Sequence, residues 1–206
     1  MGKDHFFYGL LAAVVMIGVL SGADIQNVAK VGEAAPDFEL IDADGKSHRL
    51  SEFEGKYIVL EWTNFQCPFV RKHYDTGNMQ KLQTMFRKKG VVWLSICSSA
   101  PGNQGYFEGD DLKRRLIEEK TQATAYLLDK TGKVGRQFGA KTTPHMFIID
   151  PEGNLIYAGA IDDKASTRKE HVAAAENYVA KVLNYALSGK ESPMKATSPY
   201  GCSVKY

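Results

Sequence analysis

Short, strongly apolar runs that alternate with stretches of helical periodicity limit the folds available to this chain. Residues 57–62 (YIVLEW), 91–97 (VVWLSIC) and 146–149 (MFII) are each predicted to form a buried strand. Between the first two runs, apolar residues recur at helical spacing from Met79 to Phe86. Strands that alternate with helices form a partly parallel sheet covered by helices. The pattern therefore predicts an α/β domain.

Weaker patterns give the remaining elements. They are a hairpin of residues 38–41 and 47–50 around Asp44-Gly45, a helix from Asp110 or Asp111 to Glu119, a strand at 126–128, a strand at 155–160 that returns against 146–149, and a helix at 169–187. The last helix is predicted from one stripe of side chains: His171, Ala174, Ala175, Tyr178, Val182 and Ala186. Because the late hairpin adds antiparallel strands, the central sheet is predicted to be mixed and flanked by helices.

The composition is that of a soluble globular chain. Its 206 residues are 44% hydrophobic and 24% charged, which excludes a disordered chain, a collagen-like chain and a multi-span membrane protein. A chain of this length buries enough surface to fold without disulfides or a bound metal. The 26 basic and 24 acidic residues give a net charge of +2, so no nucleic acid partner is predicted.

The first 23 residues have the layout of a secretory signal. Lys3 precedes an uncharged run at 6–20, and Ser21-Gly22-Ala23 follows as a small-x-small cleavage pattern. As a helix the run would span about 22 Å, short of the ~30 Å hydrocarbon core, although an uncleaved anchor is the alternative. Either way the domain is predicted to be exported to a periplasmic or other extracytoplasmic compartment, where disulfides persist. The predicted boundaries are 1–23 for the signal or anchor, 24–35 for a linker, 36–188 for the domain and 189–206 for a tail with Cys202.

Cys67 is the first of three cysteines and is predicted to cap a helix. It follows the buried strand that ends near Trp62, and Pro68 is favoured at a first helical position. The positive end of a helix favours a thiolate, which is the nucleophilic form of cysteine. Three further side chains are expected to add positive charge within two turns: Arg71, Lys72 and His73. The alternative is an inert, buried cysteine at a strand end.

Two other features near Cys67 leave alternatives open. Glu61 lies late in an apolar strand, either on an exposed face or as a half-buried carboxylate of raised pKa that exchanges protons with Cys67. Thr143-Pro144 precedes the strand at 146–149. A cis bond there would leave the Thr143 backbone free to line the thiol site or pair with an extended peptide, whereas a trans bond would make an ordinary turn.

Several segments together resemble one family. They are Gly32 to Phe38 (GEAAPDF), the strand and loop that lead to Cys67-Pro68, and Thr143-Pro144 before a strand and hairpin. Three more are residues 62–70 (WTNFQCPFV), 101–105 (PGNQG) and 201–205 (GCSVK). On these segments the chain resembles the redoxin branch of the thioredoxin-fold superfamily, the AhpC/TSA or peroxiredoxin-like group. The resemblance spans about residues 31–188 and implies a thioredoxin-like α/β fold.

The resemblance also implies roles for the site. It makes Cys67 the attacking cysteine and places Glu61 where thioredoxins have a buried acid, which implies a proton role. Thr143 and Pro144, with Trp62, Asn64 and Pro68, would shape the site. Val70 stands where thioredoxins have a second cysteine, and a copper-chaperone pair of thiols is also missing, so no metal and no cofactor is predicted.

Two positions depart from the peroxiredoxin pattern. Peroxiredoxins carry Pro-x-x-x-Thr-x-x-Cys, and this chain has Leu60 and Asn64 at those places, with Thr63 one position away. The departures favour thiol–disulfide exchange over hydroperoxide reduction.

The other cysteines are assigned by their surroundings. Cys97 ends an apolar strand and is predicted to be a core residue. Cys202 lies in a polar tail and is predicted to partner Cys67, within one chain or between two. The pair either opens and closes during catalysis or forms a permanent staple, which would stabilise the fold by roughly 5 kcal/mol.

The sequence therefore predicts a thiol-based redox enzyme. It would be a thiol–disulfide oxidoreductase or weak thiol peroxidase whose partner is a thiol or disulfide protein or a small hydroperoxide. The competing hypothesis is a non-catalytic binding module with a structural Cys67–Cys202 disulfide. Nothing in the sequence predicts an oligomeric state.

Overall fold

A computed structural model describes residues 1–2 and 28–206 of the chain. Its strands are β1 (Glu39–Asp42), β2 (Ser47–Arg49), β3 (Ile58–Trp62), β4 (Val92–Cys97), β5 (Ala125–Leu128), β6 (Thr142–Thr143), β7 (His145–Ile149), β8 (Leu155–Gly159) and β9 (Cys202–Ser203). Its α-helices are α1 (Pro68–Asp75), α2 (Asn78–Arg87), α3 (Gly109–Glu118), α4 (Lys133–Phe138) and α5 (Tyr178–Leu187). Two 3₁₀ turns lie at Leu50–Phe53 and Lys169–Ala174.

Seven strands form one mixed sheet in the order β2-β1-β5-β4-β3-β7-β8. Strands β3, β4 and β5 run parallel, and the others are antiparallel to their neighbours. Trp62 at the end of β3 is paired with His145 at the start of β7. This register places the loop after β3 and the loop before β7 at the same edge of the sheet, so that Cys67 and Thr143 can meet. The predicted mixed central sheet is confirmed.

The sheet is buried on both faces, and its central strands are largely apolar. On β3, Leu60 and Trp62 belong to one core cluster, and Val59 belongs to the cluster on the opposite face. All five residues of β3 and all six of β4 are buried. Glu61 is one of them, so the alternative that places it on an exposed face is wrong.

The predicted helix at 169–187 is wrong. The segment begins as a 3₁₀ turn, leaves helical geometry, and becomes α5 only at Tyr178. The break has a physical cause: Asn177 caps α5 by accepting a hydrogen bond from the amide of Ala180 at 2.8 Å. The amide of Asp163 also bonds to the carbonyl of Glu176 at 3.2 Å, which draws the segment away from a helix. The buried stripe is accordingly Val179, Val182 and Leu183, and Ala174 is exposed.

Two smaller differences concern helices. The predicted start of α3 at Asp110 or Asp111, with that aspartate as its cap, is wrong: the helix begins at Gly109, its cap is Glu108, and both aspartates lie inside the first turn. Helix α4 is absent from the sequence prediction. It has six residues and buries only a few of them, so it leaves little periodic signal.

The two ends of the described chain pack against the sheet domain. The amide of Gly32 bonds to the carbonyl of Leu155 at 2.8 Å, so part of the predicted linker lies along β8. In the tail, the Thr197 hydroxyl lies 2.7 Å from that of Tyr157, and the Tyr206 hydroxyl donates to the carbonyl of Ala140 at 2.7 Å. The tail is therefore attached on both sides of Cys202.

The predicted signal at 1–23 lies outside the described residues except for its first two. Across residues 28–206, the structure has no helix of the length and apolar character needed to cross a bilayer.

Candidate active site

Cys67 is the cap of helix α1, as the sequence predicts. Its backbone is extended (φ −79°, ψ 126°), Pro68 occupies the first helical position, and the amide of Arg71 bonds to the Cys67 carbonyl at 2.8 Å. The thiol is therefore at the positive end of the helix, where the free amides favour a thiolate. The residue is fully buried beneath neighbouring elements.

The Thr143-Pro144 loop covers Cys67. The peptide bond between Thr143 and Pro144 is cis, and the Cys67 thiol donates a hydrogen bond to the Thr143 carbonyl at 3.1 Å. The Thr143 hydroxyl is buried and has no hydrogen-bond partner among the groups that the structure describes. It is thus available to donate to a thiolate at Cys67.

The tail brings Cys202 to the same place. Strands β6 and β9 pair antiparallel, with Thr143 opposite Cys202. Gly201 allows this approach: a Cβ on it would lie 2.1 Å from the Thr143 carbonyl oxygen, and its φ is +139°. Cys67 and Cys202 are adjacent free thiols, which is the reduced state of the pair.

The surroundings make Cys67 the more acidic thiol. Burial opposes its ionisation, but groups that can donate to the thiolate outweigh burial and lower the pKa of Cys67 below its ordinary value. They are the Cys202 side chain, the Thr143 hydroxyl and two backbone groups. The backbone groups belong to Val70 in the first turn of α1 and to Cys202. Cys67 is thus prepared to be the thiolate of the pair.

Cys202 shifts in the opposite direction. Burial raises its pKa, the neighbouring Cys67 raises it further, and the result is a pKa of about 11 despite the nearby charge of Lys205. Cys202 therefore keeps its proton while Cys67 is a thiolate. One thiol of the pair is suited to attack and the other to donate a hydrogen bond.

The expected contribution of nearby positive charge is wrong. Arg71 forms ion pairs with Asp75 and Glu119, and the ammonium of Lys72 lies 3.6 Å from the Asp162 carboxylate. Burial lowers the pKa of His73 to about 3, and the charge of Lys72 adds to that shift. Arg71 and Lys72 are paired with carboxylates and His73 is neutral, so hydrogen bonds rather than these charges stabilise the Cys67 thiolate.

Glu61 is buried, but its hydrogen bonds do not go to Cys67. Its carboxylate accepts bonds from four side chains: Trp93 at 2.8 Å, Ser95 at 2.9 Å, Tyr74 at 3.0 Å and Gln83 at 3.1 Å. Burial raises the pKa of Glu61, and these four donors oppose the rise. The expected proton exchange with Cys67 would need an intervening group.

The other site-shaping residues have separate tasks. Trp62 is a core residue whose indole donates to Ser98 at 3.0 Å. Asn64 fixes the loop before Cys67, since its amide donates to the carbonyl of Gln104 at 3.1 Å and its oxygen accepts from the amide of Gln66 at 2.8 Å. Neither side chain is among the groups that hydrogen-bond Cys67.

Cys97 is a core residue, as predicted. It is buried at the end of β4, its thiol donates to the carbonyl of Gly105 at 3.4 Å, and burial raises its pKa. Among the described residues, no group of three or more histidine, cysteine, aspartate or glutamate side chains could hold a metal ion.

A buried cluster beside the thiol pair is absent from the sequence prediction. Tyr200, two residues before Cys202, contacts Lys72 and Asp162. The only sequence signal was the proximity of Tyr200 to Cys202, because the partners are 38 and 128 positions away along the chain.

Comparison with known proteins gives consistent matches. The model of the AhpC/TSA family matches residues 31–158. The thiol-disulfide oxidoreductase ResA of Bacillus cereus is 24% identical over 183 residues, which cover 84% of this chain and 96% of that protein.

Solved structures agree on the fold. An uncharacterized conserved protein from Geobacillus kaustophilus superposes with a TM-score of 0.74 at 25% identity, covering 87% of this chain and 94% of that one. The thioredoxin domain of a thiol-disulfide oxidoreductase from Bacteroides vulgatus gives a TM-score of 0.51 at 24% identity, covering 70% of this chain and 96% of that one. The predicted thioredoxin-like fold is confirmed.

Proposed function

The chain belongs to the AhpC/TSA family, and we propose that it works there as a thiol–disulfide oxidoreductase with Cys67 as nucleophile and Cys202 as resolving thiol. The observation that carries the proposal is geometric: Cys67 caps α1 beneath the cis Thr143-Pro144 loop, and the β6–β9 pairing brings Cys202 to the same place. In keeping with it, the pKa of Cys67 is lowered and that of Cys202 is raised. Thiol–disulfide exchange needs one thiol that ionises readily and a second that attacks the resulting mixed disulfide. A purely structural pair has no need of this difference.

The first step uses the Cys67 thiolate. It attacks one sulfur of a substrate disulfide, RS–SR′; the S–S bond breaks, a Cys67–SR bond forms, and R′S⁻ leaves and takes up a proton. The Thr143 hydroxyl and the amides of Val70 and Cys202 stabilise the thiolate before it attacks. Because the same bonds hold the sulfur at the end of α1, they also fix its position.

The second step uses Cys202. Once Cys67 is in the mixed disulfide, it no longer carries the negative charge that helps to raise the pKa of Cys202. Cys202 then ionises more readily and attacks the Cys67 sulfur, which forms the Cys67–Cys202 disulfide and releases RS⁻. The substrate is reduced to thiols and the protein dithiol is oxidised, so a dithiol reductant must regenerate the protein.

The proposed partners and compartment follow from this chemistry. The substrate is a disulfide of another protein, and the names of the relatives support that class. The leader pattern supports a site of action outside the cytoplasm, where protein disulfides form and persist. Glu61 is proposed as a proton acceptor that acts through an intervening group.

Hydroperoxide reduction is less well supported. Asn64 stands at the place where peroxiredoxins carry a threonine, and its side chain is already bonded to Gln104 and Gln66. No hydroxyl is supplied at that position. A hydroperoxide consumption assay, run beside the disulfide assay, separates the two activities.

The test is reduction of a protein disulfide such as insulin with dithiothreitol as reductant. We expect Cys67→Ser to lose activity. Pre-reduced Cys202→Ser, mixed with the substrate after dithiothreitol has been removed, should accumulate a mixed disulfide that is visible by mass spectrometry. Cys97→Ala is the matched control, since that thiol is buried in the core, and it should keep activity. Full activity in Cys67→Ser would overturn the proposal.

A further inference from the structure

A cluster of buried polar side chains lies next to the thiol pair and is not used by the chemistry above. Lys72 and His73 on α1 have no exposed surface, and Asp162 in the loop after β8 is 2% exposed. A lysine is almost never fully buried unless it is paired. The tail contributes Tyr200 to this cluster.

The Tyr200 hydroxyl completes the cluster. It donates to the Asp162 carboxylate and accepts from the Lys72 ammonium at 3.1 Å. The Lys72 ammonium also donates to the carbonyl of Lys164 at 2.8 Å and lies 5.1 Å from the centre of the Tyr200 ring. Without Tyr200, a buried charged pair would lose a hydrogen-bond partner at each end, which is unfavourable. The cluster therefore stabilises the tail in the position in which Tyr200 contacts Lys72 and Asp162.

The contacts of Tyr200 with Lys72 and Asp162 are linked to the thiol pair through helix α1 and the tail. Lys72 is on α1, the helix that Cys67 caps, and Tyr200 is two residues from Cys202. The ring of Phe69, also on α1, packs 5.9 Å from the ring of Tyr200. The contacts of Tyr200 with α1 consequently fix the position of Cys202 relative to Cys67.

Other tail contacts hold different parts of the molecule. Thr197 bonds to Tyr157 and to the amide of Ala160, near the end of β8. Tyr206 bonds to the carbonyl of Ala140 and stacks against Arg136. These contacts keep the tail on the domain, whereas Tyr200 joins it directly to the helix that carries Cys67.

We infer that Tyr200, seated against Lys72 and Asp162, is a positioning residue that presents Cys202 to the Cys67 mixed disulfide. The inference rests on the proposed function, because it concerns the step in which Cys202 attacks Cys67 and releases the substrate thiolate. Its effect is confined to that second step: the attack by Cys67 on a disulfide does not require Cys202 to be placed.

The experiment follows both steps in the full chain with dithiobis(nitrobenzoate), a small disulfide whose thiolate product is coloured. Attack by Cys67 releases one equivalent of colour, and attack by Cys202 on the resulting mixed disulfide releases the second. In Tyr200→Phe we expect a first phase no slower than in the wild type and a second phase slowed roughly tenfold or more, since small misplacements of reacting groups have effects of this size. Tyr206→Phe is the matched control and should keep both phases.

A second variant and a second measurement keep the result unambiguous. Tyr200→Leu, which also removes the aromatic contact, should slow the second phase at least as much as Tyr200→Phe. The equilibrium constant for Cys67–Cys202 disulfide formation against glutathione should fall in parallel. A second phase as fast as that of the wild type in both variants, or equal slowing of both phases, would overturn the inference. A first phase as fast in Cys67→Ser as in the wild type would instead overturn the proposed function.

Discussion

Among single side chains, the Thr143 hydroxyl gives the most direct test of how the site stabilises the Cys67 thiolate. It is buried and has no hydrogen-bond partner among the described groups while Cys67 is protonated, and it can donate to Cys67 once that residue is a thiolate. Thr143→Val keeps the shape of the side chain and removes this donor. Because a hydrogen bond to a charged group is worth about 1.5 kcal/mol or more, we expect the pKa of Cys67 to rise by about one unit. Titration of the thiolate absorbance in the ultraviolet measures it.

The neighbouring threonine provides the control for this titration. The Thr142 hydroxyl donates to the carbonyl of Pro144 at 3.0 Å and does not contact Cys67. Thr142→Val should therefore leave the titration unchanged. A Thr143→Val protein whose Cys67 titrates as in the wild type would show that this hydroxyl does not support the thiolate.

Glu61 gives a second test, because its four partners are all donors. Glu61→Leu would leave buried donors on Trp93, Ser95 and Gln83 unsatisfied, so we expect the free energy of unfolding to fall by about 3 kcal/mol or more. Glu61→Gln can keep an oxygen toward those three donors and turn its amide toward the Tyr74 hydroxyl. It should lose much less, which urea denaturation measures.

The same pair of variants bears on the proposed proton role of Glu61. If Glu61 exchanges protons during catalysis, Glu61→Gln should change the pH profile of disulfide reduction while the protein stays folded. Equal losses of stability in the two variants would contradict the hydrogen-bond arrangement described above.

The site was only partly predictable from the residues around it. Cys67 and Pro68 follow a strand and start a helix, a local pattern, so the cap was predicted correctly. The pairing of Lys72 with Asp162 was not predicted, because the two residues are distant in sequence. Arg71 pairs with Asp75 one helical turn away and with the distant Glu119, and only the second pair lay beyond the local pattern. Tyr200 was missed for the same reason: its partners depend on the tail crossing the domain.

Pairing of the elements β6 and β9 depends on Gly201. An alanine there would bring its Cβ 2.1 Å from the Thr143 carbonyl oxygen. We expect Gly201→Ala to separate β9 from β6, to slow formation of the Cys67–Cys202 disulfide and to increase hydrogen exchange at the amides of β9. Quenched-flow alkylation and amide exchange measure these effects.

Gly189 is the control that separates the steric clash at position 201 from the cost of placing alanine at positive φ. Gly189 also has positive φ, +72°, but a Cβ there would meet nothing within 4 Å. Gly189→Ala should therefore leave Cys67–Cys202 disulfide formation unchanged. If the two variants behave alike, β9 is not held in place by its approach to Thr143.

The success of element prediction followed the strength of the periodic signal. Strands β3, β4 and β7 are fully buried and mostly apolar, and their short apolar runs were enough to predict them. The segment 169–187 had a plausible helical stripe, yet the cap at Asn177 and pairing with the loop after β8 divide it. A local sequence pattern carries no information about such contacts with distant segments, which can override helix propensity.

For the molecule as a whole, two buried neutral histidines predict sensitivity to acid. Burial lowers the pKa of both His73 and His145 to about 3, and the nearby charges of Lys72 and Lys141 add to the respective shifts. The unfolded chain binds these protons below the ordinary value of 6.5. Stability is therefore present above that pH and is lost as the pH falls toward 3, by up to ~1.4 kcal/mol per pH unit for each histidine.

Urea denaturation across this pH range tests the prediction. His145→Gln keeps an acceptor for the amide of Lys141, which bonds to the imidazole at 3.3 Å. It removes one titrating group, so stability should depend less steeply on pH than in the wild type. An unchanged slope would show that His145 is not a neutral, buried base.

The central claim concerns the whole chain, because Cys67 and Cys202 meet only when the tail crosses the domain. A structural staple and a catalytic pair differ in how readily the bond is reduced. The reduction potential of the Cys67–Cys202 pair, measured in glutathione or dithiothreitol buffers with alkylation and mass spectrometry, tests the claim most directly. Our account predicts a potential above about −300 mV; a potential below about −300 mV marks a bond that resists reduction and would contradict it.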